Sequence, residues 1–137
     1  TIQAAVLLSK LPYLDSYCES RKKAADTYDN AFRKINQIKI PKRSSKSTHV
    51  FHQYTIQIKD GKRDELKNFL SSKDIPSVVY YPKPLHLQNA FAFLGYKEGD
   101  FPIAERLCEK VLSLPIHTEM DEEQLDYIIE SVLEFFK

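Results

Sequence analysis

The chain has 137 residues, of which 42% are hydrophobic and 28% are charged, and its 20 basic residues nearly balance 19 acidic ones. This length suffices for one domain with a hydrophobic core. The near-neutral charge gives no electrostatic basis for binding nucleic acid or an anionic membrane, and no apolar run approaches the length of a membrane span. Cys18 and Cys108 are too few and too far apart for a disulfide framework or a metal site, which indicates reduced thiols and a cytoplasmic protein.

The N-terminal quarter is predicted to form a long, bent helix. Apolar residues recur at helical spacing from Ile2 to Leu11, Pro12 predicts a kink, and the pattern resumes toward Ile35. Residues 39–48 hold four cations and four hydroxyl residues without periodicity. They are predicted to be an exposed loop.

The middle of the chain is predicted to contain two strands separated by a short helix. Alternation from His49 to Ile58 indicates a half-buried strand with His52 on its apolar face, where it would be structural and hydrogen-bonded. A turn follows, and residues 63–72 have helical spacing. Residues 78–81 are β-branched or aromatic and favour a second strand, which Pro82 must stop because proline donates no ladder hydrogen bond.

The C-terminal part is predicted to add two helices and a third strand. Residues 85–99 read as irregular, and Asp100 is placed to cap a helix through Val111 with Pro102 in its first turn. Residues 112–116 read as a short strand.

The last helix begins with Asp121 and Gln124, a variant of the capping box, and keeps helical spacing to the end. The order α-β-α-β-α-β-α predicts an α+β fold. Its small, mainly antiparallel three-stranded sheet would pack against the long N-terminal helix and further helices.

Residues 77–88, Ser-Val-Val-Tyr-Tyr-Pro-Lys-Pro-Leu-His-Leu-Gln, form the clearest candidate for ligand contact. Tyr80, Tyr81 and His86 combine flat faces with hydrogen-bonding tips, on a loop stiffened by two prolines. A hydrophobic strand with a proline-rich exit and no ligand is the alternative, which these residues by themselves leave open.

The remaining candidates give no self-contained catalytic apparatus. His49 and His52 are three positions apart in a predicted strand, so they point to opposite faces and cannot chelate one metal. His117 reads as a turn residue. With only three glycines in the chain, no phosphate-binding fingerprint is present.

Five strings, in this order and spacing, closely resemble the C-terminal part of the DegT/DnrJ/EryC1/StrS family of sugar aminotransferases. The resemblance covers nearly the whole chain. The strings are Gln3–Leu11, His49–Ile56, Ser77–Gln88, Phe93–Glu105 and Leu112–His117.

The resemblance implies a fold-type I pyridoxal-phosphate enzyme whose cofactor lysine and most phosphate contacts lie in a large domain upstream. Residues 1–137 are then expected to be a single C-terminal small domain, a fragment without the cofactor-binding domain, inactive and without bound cofactor. The parent enzyme would be a homodimer. It would aminate a nucleotide-linked keto sugar, expected to be UDP-linked, with glutamate as amino donor, in surface polysaccharide or amino-sugar biosynthesis.

Carried over by position, Tyr80 and Tyr81 match a family aromatic or His-Tyr pair that approaches the sugar nucleotide, commonly in the neighbouring subunit's active site. His86 matches the loop that follows. Many members have histidine at the place of Tyr80, which leaves open a proton-relay or a packing role. Asp74 stands where glycine is usual before Ile75, so an aspartate must make a left-handed helix stop.

Two alternative functions belong to a different class. One is an RNA-binding sheet that would use Phe51 and Tyr80 with the loop from Lys39 to Lys46, although the glycine-containing RNA-recognition motif is absent. The other is a small protein-interaction domain.

Overall fold

The computed structural model describes all 137 residues and contains five α-helices and one three-stranded antiparallel sheet. The predicted α+β class is therefore confirmed. The helices are α1 (Ile2–Lys10), α2 (Leu14–Phe32), α3 (Arg63–Ser72), α4 (Pro102–Lys110) and α5 (Glu122–Phe135). The strands are β1 (Ile38–Lys39), β2 (Tyr54–Ile58) and β3 (Val111–Leu114), and 3-10 turns occur at Leu11–Tyr13, Leu85–Leu87 and Asn89–Leu94.

The sheet has the order β1-β2-β3, with the longest strand in the middle. Tyr54 lies opposite Leu114, and Ile58 lies opposite Ile38. Tyr54, Ile56 and Ile58 are buried on one face of β2 because alternate residues of a strand point the same way. This face joins the buried residues of α2, α3 and α5 in a single hydrophobic core.

The predicted bend of the N-terminal helix is confirmed. A 3-10 turn that contains Pro12 separates α1 from α2, as expected for a residue that cannot donate a helical hydrogen bond. Arg21 of α2 donates to the carbonyls of Phe51, His52 and Ile116 at 3.1 to 3.2 Å, which ties the helix to the ends of β2 and β3.

The predicted strand over residues 78–81 is wrong beyond its first residue. Only Val78 pairs with the sheet, through two backbone hydrogen bonds to Ser113 of 3.0 and 2.9 Å. The chain then leaves the sheet, since the prolines that follow cannot donate to a ladder. The third strand of the sheet is instead β1, at the start of the segment predicted to be a loop.

The strand predicted from His49 begins only at Tyr54, because Phe51 adopts a left-handed backbone with φ of 49°. This local reversal buries the Phe51 ring and exposes Val50 and His52. The prediction that His52 is buried is therefore wrong. The guanidinium of Arg43 covers the Phe51 ring at 4.6 Å from its centroid, so part of the predicted loop closes over the core.

A buried polar network joins α2, β2 and the loop after β1. Asp29 accepts hydrogen bonds from the Tyr54 hydroxyl at 2.7 Å and from Arg43 Nε at 2.9 Å. A second Arg43 nitrogen lies 2.7 Å from the same carboxylate. Burial first, and then the Asp29 acceptor, raise the pKa of Tyr54 far above its usual range, so the phenol stays a donor.

The helix stop predicted at Asp74 is confirmed. Asp74 has φ of 57°, its N–H donates to the Ser71 carbonyl at 3.1 Å, and the Ile75 N–H donates to the Leu70 carbonyl at 2.9 Å. These two bonds define a Schellman motif, and Ile75 is buried as the hydrophobic residue that accompanies it.

We expect Asp74→Gly to raise the free energy of unfolding by about 0.5 to 1 kcal/mol, because glycine adopts the left-handed conformation without a Cβ penalty. Denaturant titration followed by circular dichroism measures the change. Ser71→Gly, on the same helix in the right-handed conformation, is the control and should lower stability by about 0.5 to 1 kcal/mol. A loss of stability in Asp74→Gly would show that the aspartate side chain makes a contribution that outweighs the backbone strain.

Helix α1 has no buried residue. It exposes Val6, Leu7 and Leu11 to solvent, and exposed apolar patches of this kind drive association. No helix of the structure is both long enough and apolar enough to cross a membrane.

We expect the isolated chain to form dimers or larger species through this helix at high concentration. Sedimentation equilibrium measures the state, and Leu7→Glu with Leu11→Glu should shift it to monomer. Ile103→Glu removes an equally exposed apolar side chain of α4 and should change nothing. A strictly monomeric, well-folded wild type would contradict the expectation.

Candidate functional site

The segment 77–88 runs outward from the sheet after its single pairing at Val78. Tyr80 is 49% exposed and Tyr81 is 72% exposed, and neither hydroxyl makes a hydrogen bond within the chain. Both phenols are therefore free to stack on a ligand or to donate to one.

Tyr80 lines a cavity of about 250 Å³ together with His52, Gln53 and His117. The sequence pattern predicts no role in a site for either histidine. Both line this cavity because His52 lies just before β2 and His117 lies just after β3. The antiparallel register, which sets Tyr54 opposite Leu114, brings these ends together. Strand register therefore decides that these two histidines share a cavity, and the local sequence pattern does not reveal the register.

His86 is placed apart from this cavity. It lies in the 3-10 turn Leu85–Leu87, its side chain is only 9% exposed, and its ring packs on Phe101 at 4.8 Å between centroids. It lines a second, mainly apolar cavity of about 350 Å³ whose other walls include Phe91, Leu94 and Tyr96. The three predicted contact residues therefore do not share one cavity within this chain.

Glu105 of α4 organises the backbone around His86. Its carboxylate lies 3.0 Å from His86 Nε2 and accepts from the N–H groups of Gly99 at 2.9 Å and Phe101 at 3.1 Å. The Gly99 N–H is the main cause that holds the pKa of Glu105 below its usual range, and Phe101 and His86 add to it. The group is an ionised, acceptor-only carboxylate.

The predicted cap at Asp100 is wrong. Phe101 occupies the cap position and Pro102 the first turn, while Asp100 accepts from the Lys97 N–H at 2.8 Å. The Glu105 carboxylate accepts from the Phe101 N–H and so acts as the capping side chain of α4. The sequence gives no signal for this choice because both acids are at plausible distances from the helix start.

The residues of this chain do not fit pyridoxal phosphate. A lysine that forms a Schiff base to this cofactor is enclosed beside it. Every lysine here is exposed or only half-buried. Four lysines are half-buried, Lys22, Lys67, Lys73 and Lys110, and two of these, Lys22 and Lys73, are paired with Glu19 and Glu134. No step of cofactor chemistry can be assigned to these residues.

Comparison with known proteins identifies the group to which this chain belongs. Residues 1–133 match the profile of the DegT/DnrJ/EryC1/StrS aminotransferase family. The chain is a member of this family. The resemblance seen in the five sequence strings is therefore confirmed.

Three relatives illustrate the range of the family members. A pleiotropic regulatory protein of Geobacillus stearothermophilus is 46% identical over 99% of this chain and 37% of its own length. A UDP-N-acetyl-3-dehydro-α-D-glucosamine 3-aminotransferase of Acidithiobacillus ferrooxidans is 38% identical over 90% of the chain and 32% of its own length. A dTDP-3-amino-3,4,6-trideoxy-α-D-glucose transaminase of Streptomyces venezuelae is 34% identical over 98% of this chain and 35% of its own length.

Solved structures agree on the fold. Streptomyces venezuelae DesV, crystallised in complex with a ketimine intermediate, superposes with a TM-score of 0.93 at 33% identity. The match covers 98% of this chain and 36% of DesV. The chain thus spans about a third of the length of the relatives it matches.

Proposed function

We propose that this chain is the C-terminal small domain of a pyridoxal-phosphate-dependent aminotransferase that converts a keto group of a nucleotide-linked sugar to an amine. The observation that carries the proposal is the family match over residues 1–133, which comes with a backbone nearly superposable on DesV. Relatives are named for UDP-linked and dTDP-linked sugars, and a Streptococcus pneumoniae protein that is 29% identical has a solved structure in a PLP form. Cofactor and lysine would belong to the part of those proteins that this chain does not span.

Within this proposal the chain supplies substrate recognition. Tyr80 and Tyr81 would contact the sugar nucleotide from across the interface of a homodimer, and His86 would contribute from the loop that follows. The support is that both phenols are exposed with unused hydroxyls on a proline-stiffened segment. The RNA-binding alternative loses one of its two stacking residues, since the Phe51 ring is buried.

Within this function, the proposed substrate is a UDP-linked keto sugar and the proposed amino donor is glutamate. Its support is the 38% identity to an enzyme named for a UDP-linked 3-dehydro sugar. The test uses a dimeric enzyme that carries this chain as its C-terminal domain, supplied with glutamate and with matched UDP-linked or dTDP-linked keto sugars. Formation of amino sugar with the UDP substrate at a kcat/KM at least tenfold higher supports the assignment. A preference for the dTDP substrate contradicts the nucleotide, and no amino sugar from either contradicts the function.

We expect the 137-residue chain by itself to form no internal aldimine with pyridoxal phosphate and to have no transaminase activity, because no lysine is enclosed. Absorbance spectra with added cofactor, followed by borohydride reduction and peptide mapping, measure this. Labelling spread over several exposed lysines is the expected background. A stoichiometric adduct on a single lysine would contradict the expectation.

A further inference from the structure

The contacts of Glu105 determine which nitrogen of His86 carries the proton. The carboxylate receives backbone N–H groups from Gly99 and Phe101, so both of its oxygens act as acceptors. An ionised carboxylate has no proton to give. The 3.0 Å contact between His86 Nε2 and Glu105 Oε1 therefore requires that Nε2 be the donor.

This assignment leaves one free polar atom on the ring. In a neutral imidazole, protonation at Nε2 makes Nδ1 an acceptor with no proton. Nδ1 has no hydrogen-bond partner within the chain and is not among its fully buried unpaired atoms. It is open to a group from outside this chain.

We propose that Glu105 is a positioning residue that fixes His86 as the Nε2-protonated tautomer, so that Nδ1 accepts a hydrogen bond from a hydroxyl or N–H of the ligand. While the ring is neutral, a phosphate oxygen, which is itself an acceptor, cannot form a hydrogen bond with this atom. The ligand part rests on the proposed function: in a sugar nucleotide, His86 would read the sugar or its amide and not the diphosphate.

Glu105 also sets where His86 lies. Its three donors come from positions 86, 99 and 101, so one carboxylate gathers both ends of the segment 86–101 at the first turn of α4. The ring of Phe101 packs on His86 at 4.8 Å and on Tyr96 at 5.1 Å between centroids. The imidazole can rotate only by breaking these contacts.

The tautomer can be read directly from two-dimensional ¹H–¹⁵N spectra of the histidine rings in the ¹⁵N-labelled chain at pH 8, where imidazoles are largely neutral. We expect His86 Nε2 in the protonated range and Nδ1 in the unprotonated range. Glu105→Leu, which removes both acceptor oxygens, should move both ring nitrogens toward the values of exchanging tautomers, because no acceptor then holds the proton at Nε2. Glu105→Gln should keep the wild-type pattern, because Oε1, which faces His86 Nε2, also accepts from Gly99 and Phe101 and is the place that the amide oxygen takes. A purely structural role would not move the proton.

Glu109→Gln is the matched control, since Glu109 is exposed one turn further along α4 and should leave the tautomer unchanged. Protonation of Nδ1 in the wild type, or a fixed Nε2-protonated tautomer in Glu105→Leu, would overturn the proposal. If Glu105→Leu folds poorly, His86→Gln and His86→Asn decide the positioning role. The longer glutamine can still reach Glu105 and should keep the backbone of residues 86–99 ordered in ¹⁵N relaxation, whereas asparagine should not. Equal order in both variants would overturn the proposal.

The ligand part is tested with two probes, UDP-N-acetylglucosamine and inorganic diphosphate, by titration followed at His86 Nδ1 and by calorimetry. We expect the sugar nucleotide to shift Nδ1 and diphosphate to leave it unmoved. His86→Gln should weaken binding of the sugar nucleotide about three- to tenfold, as for one neutral hydrogen bond. A shift with diphosphate, or unchanged affinity in His86→Gln, overturns this part. A wild type that binds neither probe refutes the proposed ligand, while the tautomer still decides the role of Glu105.

Discussion

Asp29→Ala is expected to lower the free energy of unfolding by about 2 to 3 kcal/mol, because the buried Tyr54 hydroxyl and the half-exposed Arg43 both lose an acceptor. The side chain is only 10% exposed and accepts from both Tyr54 and Arg43. Without it, the buried Tyr54 hydroxyl loses its acceptor, and an unpaired buried donor costs about 1 to 3 kcal/mol of that total. Denaturant titration at neutral pH measures the change.

The chain offers a matched control for this prediction. Asp26 also contacts Arg43, at 2.6 Å, but its side chain is 60% exposed. Asp26→Ala should therefore cost less than about 1 kcal/mol, as exposed pairs do. Asp29→Asn should fall between the two, because the amide oxygen still accepts from Tyr54 while the charge opposite Arg43 is lost. Equal losses for Asp26→Ala and Asp29→Ala would mean that burial of the carboxylate does not govern the network.

Tyr81→Phe is expected to reduce kcat/KM for the keto sugar about tenfold to a hundredfold in the aminotransferase that carries this domain, since a hydrogen bond to a charged group is worth about 1.5 to 3 kcal/mol. Cofactor binding and the half-reaction with the amino donor should stay nearly unchanged. Single-turnover measurements of each half-reaction separate the two effects. The result would place Tyr81 in contact with the sugar nucleotide.

Tyr81→Phe is a clean test because the side chain is 72% exposed and has no partner in the chain, so the variant should fold as the wild type does. Tyr80→Phe should cost less if Tyr80 acts by stacking, and comparably if its hydroxyl is used. Tyr13→Phe removes a half-exposed phenol between α1 and α2 whose hydroxyl likewise has no partner in the chain, and it is the control for an unrelated surface. Equal losses in both half-reactions, or no loss for either Tyr80 or Tyr81, would make segment 77–88 a scaffold.

Much of the helical framework could be predicted from the sequence. The bend at Pro12, helix α3 and the cap of α5 by Asp121 follow from local preferences of the chain. Such preferences act within one or two turns, so sequence spacing contains the needed information. The left-handed stop at Asp74 was instead implied by the family resemblance. The family strings likewise identified the family.

The sheet and the site depended on contacts that local pattern does not encode. Residues 78–81 have strand-forming side chains, yet their backbone finds a partner only at Val78, while Ile38 and Lys39 pair with β2 where the expected loop begins. Strand pairing is a long-range choice in which β-propensity yields to packing.

The polar groups around the site likewise divide into features that the local sequence predicts and features that long-range contacts decide. That Tyr80, Tyr81 and His86 were candidates followed from residue type and proline spacing. That Tyr80 shares a cavity with His52 followed from strand register, and that His86 is held by Glu105 followed from the return of α4 onto the loop. The sequence by itself determined the helices, the turn chemistry and the family. Only the tertiary structure decided which strands pair and which polar atoms remain free, because those depend on partners far apart in the chain.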